Sequence, residues 1–586
     1  MKKEGKKKLP LPALLLILIL TASLASSLYW GSRKEGYHVD EMYMYGTANS
    51  EYLPFMHLGK HDYTVKDWMY EYGAGGNIVD LAGNLAKDVG ILSDNGWKLK
   101  ESEIYRRYQD ARTASNDMYS TTWMSGQDYR DYLSAGPEGR FNYFSVLYNF
   151  RGDNHPPLYA LLLHTVCSFF PGEFSKWFGI CLNALITILT LLLLHRLVRE
   201  QLGGETVALL VTGAYALSVG AAMINTYIRM YVLVTLMTVG LAKIHLSIRE
   251  AGWEIDKKKR RRLVFYTVGG FLSQFYFVVY ALGIALAATV IQLKEKRYKQ
   301  FFHYLRILIF SAVLGVVLWP FSIRAVFFGS RGEESIGGFL SFSDTPRRLW
   351  IMLEELAEYT LGLPAPVYLG LLAALFVLIA VRGFAKKESA ALQKAALLIT
   401  PFVLYFVTIS KMIPYLTDRY IMLLFPWSLV FVIAAAAWLL KRLLPAKKPL
   451  LAVLLIFWAL CLFFSDSLRV GNYYIYEGMQ ECDEIAGNTD CVYLEPAAWW
   501  NVSAEDTLLL SRCRNVAVVR EDSLPVLAGS YSAAAGDTLL LVIREGVDTE
   551  ADAEWIQKEL PAGGSLVESE RKSVRGNLWI LYRVED

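Results

Sequence analysis

The sequence has no C-x-x-C pair and no cysteine–histidine spacing able to build a zinc site; its six cysteines are scattered through 586 residues. It has no G-x-x-x-x-G-K-[ST] phosphate loop, no G-x-S-x-G elbow and no H-E-x-x-H pair. A P-loop ATPase, a serine hydrolase of the elbow type and a zincin are therefore without support. Charge is sparse, at 20% of residues with a net of +3, so nothing in the mean charge argues for a nucleic-acid partner. No internal repeat and no low-complexity linker stand out. What fills the chain is apolar: 54% of residues are hydrophobic, too many for one soluble domain and too patterned for disorder. The composition is that of a polytopic α-helical membrane protein.

The basic residues orient it. Lysines at the N-terminus precede an apolar stretch from Leu11, long enough to be an uncleaved first span rather than a signal peptide. Further basic clusters lie at His195–Arg199, Lys257–Arg262, Lys294–Arg306, Arg382–Lys387 and Lys441–Lys448. Placing all of them in the cytoplasm leaves one solution with about eleven spans, near 11–30, 176–195, 205–223, 228–247, 263–277, 279–293, 306–327, 364–382, 394–410, 419–440 and 449–465. In that solution the apolar run from Pro156 to Phe170 is not a crossing. It reads as a short helix at the outer interface, begun by prolines whose missing N–H costs nothing in a first turn.

This topology sets the domain organisation. Residues 1–30 form a cytoplasmic N-terminus and first span, 31–155 a long extracytoplasmic loop with a helical stretch near Trp97–Met118, and 156–465 the interfacial helix and the bundle. Residues 466–586 form an extracytoplasmic tail. There, runs such as Cys491–Leu494, Val516–Val519 and Thr538–Ile543 alternate with helical segments, as in a small α/β domain. One disulfide among Cys482, Cys491 and Cys513 would suit that compartment.

Four polar clusters gather on the extracytoplasmic side near headgroup depth: Tyr37–Glu41, Asp153–His155, Asn225–Tyr231 and Tyr415–Tyr420. Each has an ordinary explanation. Asp40 and Glu41 are acids in a loop, Arg229 and Arg419 can snorkel from helix ends, His155 can cap a helix, and Tyr43, Tyr159, Tyr231 and Tyr420 fit an aromatic belt. Together they supply a base and an anion clamp on one face. Arginine keeps its charge and its fork of donors for phosphate oxygens, which suits Arg229 and Arg419 to a leaving phosphate. A carboxylate at Asp40 or Glu41 can take the proton from an attacking hydroxyl, or the two can ligate a divalent cation such as Mg or Mn. The sequence leaves that choice, and the cofactor, open.

At these residues the chain resembles the GT-C superfamily of polyprenyl-phosphate-sugar-dependent glycosyltransferases. It looks most like the dolichyl-phosphate-mannose protein mannosyltransferase type and its bacterial relatives, the aminoarabinose transferases included. The resemblance rests on Asp40-Glu41 after the first helix, Asp153-Asn-His-Pro-Pro-Leu-Tyr159 before an apolar run, Arg229-Met-Tyr231 at a helix start, and Arg419-Tyr420 late in the bundle. It spans roughly residues 10–440. It implies a GT-C-like bundle, a polyprenyl-phosphate-sugar donor and an inverting transfer of a hexose or pentose. Asp40 would be the base with Glu41 beside it, and Asp153, His155, Arg229, Tyr231 and Arg419 would lie at the donor phosphate or sugar. By analogy with the bacterial members the chain belongs in a plasma membrane with undecaprenyl phosphate as carrier. The acceptor, whether protein, lipid or cell-wall glycan, is left open. Two departures stand out. The stretch from Glu41 to Asp153 is longer than in relatives, which points to extra acceptor-binding elements, and Ser273-Gln-Phe-Tyr276 replaces a Thr-His-Tyr-Tyr-like turn.

Two other functions compete. A transporter or flippase of a lipid-linked glycan would carry mid-helix charges, which are few here. An oligosaccharyltransferase-like enzyme would carry a W-W-D-type motif, whereas Trp499-Trp500 precedes Asn501.

Overall fold

The structure is a computed structural model. It describes residues 10–56, 64–71, isolated positions between 83 and 110, 123–341, 343–385, 389–443, and 470–585 apart from 478, 480–485, 488, 498–501, 545–548 and 575. The chain divides into two compact units. The first comprises Met1–Arg33, Gly152–Tyr159 and Lys176–Ile475; the second comprises Lys34–Arg151, Ala160–Ser175 and Tyr476–Asp586.

The first unit is a helical membrane bundle. Among the described residues six helices are long and apolar enough to cross a bilayer: Leu11–Arg33, Lys176–Gln201, Tyr231–Glu250, Phe277–Lys294, Tyr298–Leu318 and Ser389–Met412. At 26 residues the Lys176–Gln201 helix is about 39 Å long, enough for a hydrocarbon core of roughly 30 Å. Two bent pairs raise the count to eight. Glu205–Ala216 and Val219–Thr226 meet at 53°, where the Ser218 side chain accepts from the Ala221 N–H and starts a new helix. Thr345–Leu361 ends at Gly362, whose φ of 62° is a left-handed cap, and Pro364 follows before the chain resumes at 81°.

The expected count was higher for physical reasons. Lys257–Ser273 stands where a span was expected but opens with six basic residues after its Asp256 cap. The last expected span, 449–465, lies outside the described residues. The expected 419–440 span instead starts as two 3₁₀ turns, Asp418–Tyr420 and Met422–Leu424, and becomes helical at Phe425. Leu158–Cys167 is a ten-residue helix, about 15 Å and too short to cross.

The second unit holds a six-stranded sheet in the order β1-β3-β2-β4-β6-β5. The strands are β1 (Met124–Ser125), β2 (Asp490–Glu495), β3 (Asn515–Arg520), β4 (Thr538–Ile543), β5 (Ser565–Val574) and β6 (Asn577–Glu585). β3, β2 and β4 run parallel, and β6 and β5 close one side antiparallel. Every residue of β2 is buried, as expected for a central parallel strand covered on both faces. Val492, Leu494, Ala517, Val519, Leu539 and Leu541 form the core with Ala553 and Ile556 of the Thr549–Glu559 helix and with Leu560 just after it. The α/β character expected of the tail is therefore present.

The sheet does not belong to the tail alone. β1 comes from the first loop and pairs antiparallel with β3, Met124 opposite Val516 and Ser125 opposite Asn515. Gly126 makes this approach possible, because a Cβ there would stand 2.0 Å from the Cys513 carbonyl oxygen. Loop and tail are one folding unit where the sequence suggested two segments. Cys491 and Cys513 are both buried thiols with no disulfide, and Cys482 lies outside the described residues. Of the helix expected near Trp97–Met118, positions 105–106 and 108–110 are helical and the remainder lies outside the described residues.

Candidate functional site

In the membrane unit, the turn from Tyr227 to Met230 separates the Val219–Thr226 helix from the Tyr231–Glu250 helix. A helix C-terminus leaves carbonyls without intrahelical partners. Here one side chain serves three of them: Asn183 Nδ2 donates to the carbonyls of Ile224 (3.4 Å), Asn225 (3.2 Å) and Tyr227 (2.9 Å). Its own Oδ1 accepts from the Tyr159 hydroxyl at 2.7 Å. Gly179, one turn earlier on the same helix, lets Ile228 sit where a Cβ would stand only 2.2 Å from Ile228 Cγ2. The backbone that presents Arg229 is thus clamped from both sides.

Arg229 is buried, and its Nη2 lies 3.5 Å from both ring nitrogens of His155. Asp153 fixes that histidine. Its Oδ1 accepts from the His155 backbone N–H at 2.7 Å and meets His155 Nδ1 at 2.8 Å, a local turn of the kind aspartate favours. Burial pulls the Asp153 carboxyl upward. The His155 bonds and the charges of His155 and Arg229 outweigh it and hold the acid below its ordinary range.

Arg419 reaches the same turn from the other end of the chain, its Nη1 donating to the Tyr227 hydroxyl at 3.2 Å. Tyr227 stacks on Tyr231, with centroids 5.7 Å apart and planes at 14°, and Tyr231 is itself buried. Tyr405 donates to the Tyr420 carbonyl at 2.8 Å and holds the 3₁₀ turn that carries Arg419. Three sequence clusters are therefore linked: Asp153 through His155 to Arg229, and Arg419 to Tyr227 in the same turn. Asp418, next to Arg419, is buried, and its Oδ1 accepts from the Tyr474 hydroxyl at 2.5 Å. Burial is the main force on this acid and raises it to about 6, against the opposing pull of Tyr474 and Arg419.

A raised acid favours the fold in its neutral form. That stabilisation is complete below the ordinary value of 3.8 and is lost as pH rises through about 6. The loss is on the order of 3 kcal/mol. Asp418→Asn, which keeps an acceptor for Tyr474, is expected to flatten the decline in thermal stability between pH 4 and 8. Parallel wild-type and variant curves would refute this.

The acidic pair lies in the second unit, on the Val39–Asn49 helix. His38 caps it in a reciprocal box with Glu41: the His38 ring accepts from the helix and Glu41 Oε2 accepts from the His38 N–H at 2.9 Å. The same oxygen meets Lys34 Nζ at 2.9 Å, with both side chains wholly buried. Burial lowers the Lys34 ammonium, and Glu41 opposes that shift. Asp40 is different. Its carboxylate is 28% exposed and stands 3.7 Å from His38 Nδ1. Glu41 is therefore a structural ion pair and Asp40 the more accessible acid. A divalent cation held by both acids does not fit this arrangement, because an ammonium already occupies Glu41. Among the described residues no three His, Cys, Asp or Glu side chains come together as a metal site.

The same unit contains a cavity of about 800 Å³ lined by Glu51, Tyr52, Lys66, Asp128, Tyr132 and Glu138, among others. Tyr52 sits in it with a left-handed φ of 57°, held by its N–H to Ser145 Oγ at 2.7 Å. Among the described residues the lining carries four carboxylates, Asp131 included, against one lysine, a balance unfavourable to anions.

Sequence reasoning named Asp40, Glu41, Asp153, His155, Arg229, Tyr231 and Arg419 and passed over Lys34, Tyr227, Asp418 and Tyr474. Asp418 and Tyr227 lay inside quoted clusters and were legible as neighbours of the arginines. Tyr474 had one signal, the aromatic density of Asn472-Tyr-Tyr-Ile-Tyr476 directly after an apolar region.

No family model matches the sequence, and no curated protein matches it. Among solved structures the chain is similar to the crystal structure of ArnT from Cupriavidus metallidurans bound to undecaprenyl phosphate. Identity is 10%, the alignment covers 73% of this chain and 88% of that one, and the TM-score is 0.45.

Proposed function

We propose that this membrane protein is a GT-C-type glycosyltransferase that moves a sugar from a polyprenyl-phosphate donor to an acceptor at the extracytoplasmic face. The observation that carries the reading is that two arginines come to one turn: Arg229 stands in it against His155, and Arg419 donates to the hydroxyl of its Tyr227. Each arginine comes just before an apolar helix, Tyr231–Glu250 or Phe425–Leu443. Guanidinium groups and helix N-termini both favour an anion, and at the end of an apolar helix that anion is best supplied by a lipid phosphate.

In the proposed reaction the acceptor oxygen attacks the anomeric carbon and the carbon–oxygen bond to the phosphate breaks. The electron pair leaves with the phosphate, whose growing charge Arg229 and Arg419 stabilise, while the acceptor proton passes to Asp40. Attack from the face opposite the phosphate inverts the anomeric centre. Asp153 and His155 orient Arg229. The acidic cavity beside Glu51 suits a neutral or cationic acceptor.

The test is a release assay in lipid nanodiscs. Polyprenyl-phosphate sugars are supplied one at a time with a cell-envelope extract as acceptor source, and polyprenyl phosphate is quantified. At least one donor is expected to release it. Silence across a full set of hexose and pentose donors would favour a transporter of a lipid-linked glycan.

A further inference from the structure

The Lys257–Ser273 helix opens on a charge pattern that its own neighbours do not offset. Lys257, Lys258, Lys259, Arg260, Arg261 and Arg262 fill its first six positions. Positive charge at a helix N-terminus opposes the macrodipole, and like charges three and four residues apart repel. Two nearby acids are engaged by neutral donors. Asp256 Oδ1 accepts from the Lys259 backbone N–H at 2.7 Å, and Glu254 Oε1 accepts from Gln300 Nε2 at 2.9 Å. Among the described residues only Lys259 of the six has a side-chain hydrogen bond or ion pair, to the Glu254 carbonyl at 3.3 Å. The other five side chains are exposed.

The neighbouring spans fix where these charges stand. A Cβ at Gly240 would lie 2.1 Å from Tyr266 Cε1, and one at Gly269 would lie 3.0 Å from Met237 Sδ. The helix is therefore antiparallel to the Tyr231–Glu250 span, in a register that puts Arg261 level with His245. His245 Nε2 meets the Tyr304 hydroxyl at 2.8 Å, and a Cβ at Gly315 would lie 2.9 Å from Phe271 Cδ1. The Tyr298–Leu318 span thus runs beside the helix in the same direction, with Arg306 about half a turn along the axis from the level of Arg261.

On each of these two helices an exposed arginine is followed four residues later, on the same face, by an exposed phenylalanine: Arg261 by Phe265 and Arg306 by Phe310. Arg306 Nε also donates to the Phe302 carbonyl at 3.4 Å. Lys299 adds a further exposed cation to the second helix, and Ile309 and Val313 add exposed apolar side chains deeper along it. Cations at one depth with bare rings a turn deeper match a phospholipid, phosphate outside and acyl chain inside. Arginine suits the outer layer, since its fork of donors matches phosphate oxygens and its stem lies along apolar surface.

We propose that this end of the bundle, expected to be cytoplasmic, is a binding surface for anionic phospholipid, with lipid phosphates at Arg260, Arg261, Arg262 and Arg306 and acyl chains along Phe265 and Phe310. The lipid supplies at the helix start the negative charge that the chain does not. This surface is separate from the arginine turn and needs nothing from the donor reading.

The test uses full-length protein in phosphatidylcholine nanodiscs carrying a trace of spin-labelled phosphatidylglycerol or spin-labelled phosphatidylcholine, with electron spin resonance reporting the motionally restricted fraction. Wild type is expected to favour phosphatidylglycerol at least about fivefold, the scale of one basic residue near an anionic surface, and to lose much of that preference in high salt. Arg260→Gln, Arg261→Gln and Arg262→Gln together are expected to lower the preference at least about twofold, and the same three positions changed to lysine to keep it, because the attraction is mainly one of charge. Equal restriction of the two lipids by wild type would overturn the proposal without any variant. So would a glutamine variant that keeps the full preference, or a lysine variant that loses as much as the glutamine one.

Discussion

Asp40→Asn is expected to lower sugar transfer by a factor of about 100 to 10,000 while leaving donor-lipid binding and expression close to wild type. That is the usual span for loss of a positioned general base. The substitution removes a proton acceptor without removing bulk, and the local frame survives it. The Asp40 N–H donates to His38 Nδ1 at 3.1 Å through the backbone, so the cap of the Val39–Asn49 helix does not depend on the carboxylate. Glu41→Gln provides the contrast. It leaves the Lys34 ammonium buried without its counter-charge, a defect of roughly 3–5 kcal/mol, and so is expected to deplete folded protein rather than slow turnover per folded molecule. Turnover by Asp40→Asn within a few-fold of wild type would remove Asp40 from the chemistry.

Arg229→Ala should act on binding instead. A charge-assisted hydrogen bond to phosphate is worth about 1.5–3 kcal/mol, so affinity for undecaprenyl phosphate is expected to fall by a factor of about 10 to 100. Arg229→Lys keeps the charge but loses the planar fork and should recover only part of that. Removing the guanidinium also takes away one of the charges that hold Asp153 low. A depressed acid stabilises the fold above its ordinary value of 3.8 and loses that contribution as pH falls from there through its folded value; Arg229→Ala brings the folded value closer to 3.8 and therefore shrinks the stability lost below that pH. Isothermal titration in nanodiscs at pH 7.5 checks the binding, and thermal melts of wild type and variant between pH 2 and pH 5 check the acid limb. An alanine variant that binds the phosphate as wild type does would exclude Arg229 from the donor site.

What the sequence made legible was charge at apolar boundaries. Arg229 and Arg419 stand out because they lie at the ends of apolar runs on the side opposite the basic clusters assigned to the cytoplasm, and the spans themselves are set by length and hydrophobicity. The Gly362-Leu-Pro364 break was written in residues that cap and stop helices. The break before Val219 was not, since its one signal is Ser218, and serine occurs in many unbroken helices. Tertiary pairings stayed hidden for a plainer reason. Tyr227 receives Arg419 through its position in space, and among 35 tyrosines nothing in composition singles it out. Lys34 carried no signal in the sequence, because burial against Glu41 is a property of the fold. β1 is two residues long, below the length at which alternation of apolar and polar residues can be recognised.

That short strand has a consequence for how the protein is made. Met124 and Ser125 leave the ribosome early, but their partner in β3 begins only at Asn515. At the usual 5–20 residues per second the first loop must wait roughly 20–80 s for the rest of its sheet. During that interval Val516, Leu541 and the other apolar faces it will help cover do not yet exist, so early proteolysis or chaperone binding should concentrate on the loop. Quality control of this protein is therefore a matter of its last hundred residues, and a nascent chain stalled before them would carry a first loop with a strand edge and nothing to pair it.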